Sequence, residues 1–292
     1  MTSLIAASDG SSPALAAASR FPTRVVARSW SGGALPLGLG EPLELRGGDR
    51  LAPDQLPAQL ALDWAPEVQE AVIASCLRQA VAGEPWFSMP PAALDGVPGA
   101  GRRMVARRIA RCAGLPFVAI DVAGPAGASR LRRVSSPPDV VQPSPVVLAM
   151  ALSRCANPVV LIEGVDDAGH DALGMVKAMV DPVSGRRWSE DALEAVVDLG
   201  HVNWLVQSSA ALGPPRPLSF LKRLTVPADA EFDHELNRLT LISELVDDLG
   251  LDARDVDGAA LLAALPVDSK RTNAELRLEA EKELVMMMRP YG

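Results

Sequence analysis

The feature that most restricts the fold of this chain is a regular alternation of short apolar runs with segments of helical spacing. Short runs of this kind predict strands, and the longer periodic segments predict helices. Strands that alternate with helices imply a parallel sheet covered on both faces, and therefore an α/β protein. The predicted strands are 92–95, 116–122, 158–165 and 202–208, and the helices between them are 104–113, 145–155 and 172–180.

The two ends of the chain differ from this central part. Residues 1–60 are rich in Ala, Ser, Gly and Pro, which predicts a loop-rich extension with one short strand near Leu43 to Leu45. Asp63 is placed to cap a helix whose first turn contains Pro66. The last part predicts only helices, over 231–249, 257–265 and 272–288. The predicted domains are the extension (1–60), an α/β core (61–228) and a small all-helical C-terminal domain (229–292).

Composition excludes several classes of protein. The formal net charge of −8 disfavours a protein that grips nucleic acid through its overall field, because phosphate binding needs a basic surface. The cysteines, Cys76, Cys112 and Cys155, lack the spacing of a disulfide framework or a zinc site. No apolar run approaches the roughly 18 residues of a membrane span, and the N-terminus lacks a secretory signal. We therefore expect a cytoplasmic protein with no membrane partner.

A glycine-rich loop connects the strand ending at Asp95 to the next helix. Its residues 96–103 read Gly-Val-Pro-Gly-Ala-Gly-Arg-Arg, where a phosphate-binding loop of the form GxPGxGK followed by Ser or Thr would sit. In such a loop, backbone N–H groups turn inward around phosphate oxygens. The candidate cofactor-binding residues are therefore Gly96, Pro98, Gly99, Ala100, Gly101, Arg102 and Arg103.

Two of these residues depart from the motif. Arg102 occupies the position of the lysine, and Arg103 occupies that of the hydroxyl that binds Mg²⁺. Arginine keeps the positive charge but cannot ligate a metal. Two cations at a helix N-terminus oppose the helix dipole unless an anion lies there. Residual anion binding and a solvated basic face that continues through Arg107, Arg108 and Arg111 both remain open at this stage.

With this loop, several downstream segments resemble the ATPase module of Lon-type proteases, which are AAA+ proteins. The resemblance covers residues from about 61 to 226 and keeps the order and spacing of that family. It implies a P-loop NTPase fold followed by a helical lid, ATP or ADP as the ligand, and protein partners in a homo- or hetero-oligomer of AAA+ subunits. The segments are GLPFVAID (114–121), NPVVLIEGVD (157–166), MVDP (179–182), RW (187–188), VDL (197–199) and VNWL (202–205).

The resemblance assigns roles to further residues, and some positions depart from the family. Where the family has Asp-Glu after an apolar strand, this chain has Glu163-Gly164. Glu163 is thus the candidate metal-site carboxylate, one methylene longer, whereas the carboxylate that orients the attacking water is missing. Asp166 follows this pair and is expected to cap the next helix. The absent hydroxyl and the absent carboxylate argue against Mg²⁺.

The remaining catalytic positions are also implied by the resemblance. Ser209 corresponds to the sensor 1 Asn that touches the γ-phosphate or the attacking water, and Arg223 corresponds to an arginine finger that serves a neighbouring subunit. Arg271 and Arg277 are both candidates for the sensor 2 arginine of the lid. Segment 129–145, where some family members place a pore loop, contains no aromatic residue, which argues against threading of a client polypeptide.

Two functions follow from this pattern. In the first, the chain is a pseudo-ATPase or scaffold subunit of a protein-remodelling assembly, since several positions that hydrolysis needs have changed together. In the second, it is a divergent but active remodeller in which Arg102 replaces lysine and Glu163 still recruits Mg²⁺. Binding of nucleic-acid phosphate ranks lowest because the chain is acidic. The sequence ends after the helical region, so we do not expect a proteolytic domain.

Overall fold

The computed structural model describes residues 21–49, 59–132, 143–209, 211–227, 234–265 and 273–288. Several predictions fall outside the described residues. These are the outer part of the extension, the middle of the segment with the expected pore loop, the boundary between the core and the C-terminal domain, and Arg271. The three predicted domains therefore stay predictions.

Strands occur where the apolar runs predict them and also at places that the sequence pattern leaves unmarked. The strand expected near Leu43 is confirmed. The strands are β1 (Thr23–Arg24), β2 (Ala27–Ser29), β3 (Leu43–Glu44), β4 (Ala92–Gly96), β5 (Phe117–Asp121), β6 (Val159–Glu163), β7 (Trp188–Glu190), β8 (Ala195–Val197), β9 (Asn203–Ser209) and β10 (Lys222–Thr225).

Within the described residues, one parallel sheet has the order β10-β4-β9-β6-β5. Alternate residues of its strands pack into apolar clusters on opposite faces, as Leu161 and Ile162 of β6 do. A sheet covered on both faces explains why its inner strands are continuous apolar runs. The fold is therefore mixed α/β and compatible with a P-loop NTPase. β2, β8 and β7 form a separate antiparallel sheet that was not predicted, because each strand has only three residues.

The predicted helices lie close to their expected positions, and the helix over Gly127–Arg132 was not predicted. The described helices are α1 (Pro66–Ala82), α2 (Arg102–Ala113), α3 (Gly127–Arg132), α4 (Pro145–Ser153), α5 (His170–Val180), α6 (His234–Asp248), α7 (Gly258–Ala264) and α8 (Asn273–Met288).

The two predicted helix caps are wrong. Ala65 precedes α1 and Gly169 precedes α5, and neither helix start has a side-chain cap. Asp63 lies too far upstream of α1, and Asp166 is taken up in a separate 3-10 turn over Val165–Asp167. Near the other end of the chain, α6, α7 and α8 pack together and share an apolar cluster with α1 and α2. That cluster connects the C-terminal helices to one face of the sheet.

Candidate functional site

The glycine-rich loop turns at the carboxyl edge of the parallel sheet. β4 ends at Gly96, and α2 begins at Arg102 immediately after Gly101. Gly101 has a φ of 90°, in the left-handed region that favours glycine, and α2 has no side-chain N-cap. The structure thus places Gly96, Pro98, Gly99, Ala100, Gly101, Arg102 and Arg103 in one continuous strand-loop-helix turn, as the motif predicts.

Arg102 points back into the sheet edge. Its side chain is only 8% exposed, and its Nη1 donates a hydrogen bond to the carbonyl oxygen of Ser208 at the end of β9. When the Gln207 amide is oriented to satisfy its neighbours, its oxygen accepts from Arg102 Nε and Nη2 at 3.1 and 2.7 Å. Burial lowers the pKa of the Arg102 guanidinium, and the nearby carboxylates of Asp166, Asp95 and Glu163 oppose that shift. An arginine stays protonated under such shifts, so a fixed cation lies among these acids.

Asp95 is the most buried of these acids, with 3% of its surface exposed. It lies on β4 directly before the loop, next to Ser208 of β9 in the sheet register. The Ser208 hydroxyl and Asp95 Oδ1 form a hydrogen bond, and Arg223 Nε donates to Asp95 Oδ2. A buried carboxylate needs such partners because an unpaired buried charge is costly.

Glu163 ends β6 and faces the loop from across β9. Its Oε2 lies 3.5 Å from Arg103 Nη1, and its Oε1 accepts from the oriented Gln207 amide at 3.2 Å. If residues 96–103 and 159–166 are the two halves of one pocket, as the resemblance implies, they are predicted to lie at adjacent strand ends. This prediction is wrong, because β9 lies between β4 and β6. Gln207 on β9 bridges the gap, so the two halves nevertheless meet at one edge of the sheet.

The residues present do not fit a Mg²⁺ ion. The position of the metal-binding hydroxyl carries Arg103, whose cationic side chain faces the Glu163 carboxylate that was predicted as the metal ligand. Mg²⁺ requires oxygen ligands in a nearly octahedral arrangement. Among the described residues, no group of three or more His, Cys, Asp and Glu side chains is placed to hold a metal ion.

Gly164 stands at the position of the family's catalytic glutamate, and its backbone cannot accept that side chain without rearrangement. Its φ is 72°, in the left-handed region. A Cβ atom built on it would lie 2.7 Å from Asp121 Oδ1 and 2.9 Å from the backbone nitrogen of Ala123. Neighbouring backbone therefore fills the space that a glutamate would need.

Ser209, the predicted sensor 1 residue, is the last residue of β9 and is partly buried. Its backbone N–H donates a hydrogen bond to the Asp166 carboxylate. Loss of surrounding water raises the pKa of Asp166, and this hydrogen bond and the charge of Arg102 oppose the rise. Asp166 therefore faces the pocket instead of a helix start. The sensor role of Ser209 stays a prediction.

Arg223 lies in β10, and its guanidinium forms an ion pair with Asp95 of its own chain. About half of its side chain, 54%, remains exposed. The predicted role as a finger for a neighbouring subunit is not tested by this placement. The placement does show that Arg223 is paired with Asp95 of the same chain.

Arg277, one of the sensor 2 candidates, lies on α8 beside a cleft of about 690 Å³. The cleft extends along α2 from Gly101 and Arg103 to Leu115 and Phe117, with α6 and α8 on its other side. Arg277 Nη2 lies 2.7 Å from Asp248 Oδ2, on α6. The charge of Arg277 is thus used in an ion pair between α8 and α6.

Three residues of the site were missed in the sequence, namely Asp95, Gln207 and Ser208. Asp95 carried a usable signal, because a charged residue closes an otherwise apolar strand immediately before the glycine-rich loop. Gln207 and Ser208 carried none. Polar residues at the end of a strand are common, and only the register of β9 between β4 and β6 brings them to the arginine.

Among the described residues, no helix is both long enough and apolar enough to cross a membrane. No protein-family model matches this chain.

Known proteins similar to this chain are Lon proteases. The Lon protease of Azorhizobium caulinodans is 26% identical over 183 residues, covering 60% of this chain and 21% of that protein. That of Frankia alni is 30% identical over 130 residues, covering 43% and 15%, and that of Rhizobium meliloti is 22% identical over 207 residues, covering 68% and 25%. The matched region thus spans about a fifth of the length of these relatives. These similarities support a relationship between this chain and the Lon family.

Proposed function

We propose that this chain is a Lon-related, AAA+-type module whose own nucleotide site has become a structural ion cluster, and that it works as a pseudo-ATPase or scaffold subunit with protein partners. In this reading α6, α7 and α8 correspond to the family's helical lid. The observation that carries the proposal is the position of Arg102, which is buried among Asp95, Glu163 and Asp166 and hydrogen-bonded to β9.

The charges at the sheet edge compensate one another. Asp95 forms an ion pair with Arg223, and Glu163 forms one with Arg103. Arg102 lies close to Asp95, Glu163 and Asp166. In an active site for phosphoryl transfer, positioned charges are directed at the transferring phosphoryl group and its metal ion. Here the cations and carboxylates form ion pairs with each other, so their charges are not directed at a phosphoryl group and contribute little to stabilising a transition state.

The Lon relationship implies that the module derives from a nucleotide-binding protein, and α2 still presents an uncapped N-terminus to the loop. We therefore expect ATP or ADP to bind weakly, without a contribution from Mg²⁺. Hydrolysis needs more than binding. Gly164 has no carboxylate to orient water, and the neighbouring Asp121 carboxylate is engaged by the Ala123 N–H and by Arg130.

Isothermal titration calorimetry with ATP and with ADP, each with and without Mg²⁺, tests the binding expectation, and a steady-state phosphate-release assay tests turnover. We expect weak or undetectable binding that is insensitive to Mg²⁺, and no turnover. The matched control is the double variant Arg102→Lys with Arg103→Thr, which restores the motif. Mg²⁺-dependent nucleotide binding in this variant, but not in the wild type, would support the proposed cause.

Two other outcomes identify the competing functions. Robust ATP turnover by the isolated wild-type chain, abolished by Glu163→Gln, would overturn the proposal and establish a divergent active ATPase. Binding of single- or double-stranded nucleic acid that weakens steeply with salt would instead assign the loop to nucleic-acid phosphate.

A further inference from the structure

A second group of arginines on α2 is not used by the candidate nucleotide site. Arg102 and Arg103 begin the helix and face the sheet edge, whereas Arg107, Arg108 and Arg111 follow one and two turns later. Residues four positions apart lie on the same side of a helix, so Arg107 and Arg111 form one row, with Arg108 beside them. This row faces α6.

The partners of this row are acids near the end of α6. Arg108 Nε lies 2.8 Å from Glu244 Oε1, and both side chains are buried. Arg107 Nη2 forms an ion pair with Asp248 Oδ1. Arg111 Nη1 lies 3.2 Å from Asp247 Oδ2 and 3.8 Å from Asp248 Oδ1. Each arginine of the row is thus joined to the last turns of α6.

Asp248 also forms an ion pair with a third helix, α8. Arg277 of α8 places Nη2 2.7 Å from Asp248 Oδ2. Asp248 is the last residue of α6, where the helix dipole disfavours a negative charge. Arginines from α2 and α8 supply the compensating charge, so Asp248 connects three helices. We call Arg107, Arg108, Arg111, Glu244, Asp247, Asp248 and Arg277 the clamp.

We propose that the clamp fixes the orientation of α6, α7 and α8 on the α/β sheet, so that the chain's own ion pairs set this orientation and a nucleotide does not. This inference rests on the proposed function. In an active ATPase the bound nucleotide helps to set the orientation of the lid, whereas here we assign that task to the chain's own ion pairs. The surface that partners meet is then the same with or without ATP.

Apolar contacts alone do not account for a fixed orientation. Leu241, Leu245, Leu276 and Leu284 pack into the cluster shared with α1 and α2. The hydrophobic effect is non-directional and depends on the apolar area that is buried. Hydrogen-bonded arginine-carboxylate pairs have a defined geometry. The apolar cluster therefore holds the helices on the sheet, and the clamp selects one position.

Hydrogen-deuterium exchange, followed by mass spectrometry on the full chain, tests this inference. The test variant is Asp248→Asn, and the matched control is Asp252→Asn, which removes the same charge from an exposed pair with Arg254. We expect exchange in α6, α7 and α8 to be about tenfold faster in the test variant and unchanged in the control, because local opening rises when fixed ion pairs are lost. Addition of ATP with Mg²⁺ to the wild type should leave exchange in these helices unchanged.

The outcomes separate the clamp from the proposed function. Wild-type rates in Asp248→Asn would overturn the clamp, whatever nucleotide does. Slower exchange of the wild-type helices on addition of ATP would overturn the statement that a nucleotide does not set their orientation, and ATP turnover in the phosphate-release assay would overturn the proposed function. In either case the comparison of the two variants would decide whether the ion pairs set the orientation. If Asp248→Asn does not fold, Asp247→Asn replaces it, because this side chain is 61% exposed and, within the described residues, its ion pair is with Arg111 alone. A smaller acceleration confined to α6 is then expected, and no acceleration would overturn the clamp.

Discussion

Arg102 donates a hydrogen bond from Nη1 to the carbonyl oxygen of Ser208, which connects the first residue of α2 to the end of β9. This contact directs the cation at the end of the glycine-rich loop into the protein. The sheet edge therefore carries its own counter-ion, and the acids around it are stable without a ligand.

Arg102→Ala is expected to lower the free energy of unfolding by about 3 kcal/mol. The substitution leaves the Ser208 carbonyl without its donor and removes the cation that lies among three carboxylates. Urea denaturation monitored by tryptophan fluorescence measures the change. Arg103→Ala is the control, because this arginine is 61% exposed and its surface ion pair contributes within about 1 kcal/mol. Equal losses in the two variants would contradict a structural role specific to Arg102.

The pair of Asp95 and Arg223 provides a test of how Arg223 is used. A double-mutant cycle with Asp95→Asn and Arg223→Gln should give a coupling energy of about 1–2 kcal/mol, because the two charges are in direct contact. Thermal or urea unfolding of the four chains measures it. A coupling energy near zero would show that Arg223 is held only loosely in its own chain and is available to a neighbouring subunit.

Gly164→Ala should destabilise the chain by about 1–3 kcal/mol, since alanine is strained at positive φ and its Cβ meets the Ala123 backbone. Gly164→Glu, which restores the family's residue, should destabilise it at least as much and confer no ATP turnover. Unfolding and phosphate-release assays on the purified variants decide both points. Gly124→Ala is the matched control, because that glycine has a similar φ of 69° but no atoms within 4 Å of its missing Cβ, so the difference between the two variants measures the crowding. Turnover in Gly164→Glu would refute the interpretation of this position.

Glu244→Ala should lower the free energy of unfolding by about 3–5 kcal/mol, because it leaves the buried Arg108 guanidinium without its carboxylate. The double variant Arg108→Met with Glu244→Leu replaces both charges by apolar side chains and should be markedly more stable than the single variant. Urea denaturation of the three chains measures this order. If the double variant were as unstable as Glu244→Ala, the loss would come from packing and not from a stranded charge.

His201 makes the free energy of unfolding depend on pH, and the direction of this dependence follows from its pKa shift. Burial lowers the pKa of His201 in the folded protein, whereas an unfolded histidine titrates near about 6.5. Below that pH the unfolded state binds the proton first, so stability falls as the pH is lowered and levels off once the folded histidine is also protonated. His201→Gln should flatten the profile of unfolding free energy as the pH falls below about 6.5. An unchanged slope in this variant would assign the pH dependence to other groups.

Much of the fold was predictable from the sequence because its strands are buried on both faces. β4, β5 and β6 consist largely of Val, Leu, Ile and Ala, and β9 has the apolar run Trp-Leu-Val in its first half. β10 reads Lys-Arg-Leu-Thr and lies at the sheet edge, so it carries no apolar run and was missed. β5 lies at the other edge and was predicted, because it reads Phe-Val-Ala-Ile-Asp. Apolar composition, and not the place in the sheet, therefore decides which strand is recognised.

The candidate site was predicted in its position but not in its internal bonding. The glycine-rich loop and Glu163 meet at one edge of the sheet, as expected from two strands of the same parallel sheet. The direction of the Arg102 side chain depends on which strand lies beside β4, and β9 arrives there from more than 100 residues away in the chain. No local pattern encodes that contact, so the self-contained ion cluster could not be inferred from the motif alone.

The crowding around Gly164 has a consequence for how such a protein changes over generations. Residues 121 and 123 occupy the volume that a side chain at position 164 needs, so a glutamate introduced there alone meets a closed backbone. A descendant acquires that carboxylate only after its neighbours have first made room. On the function that we propose, mutation at this position alone therefore does not lead to a hydrolysing site.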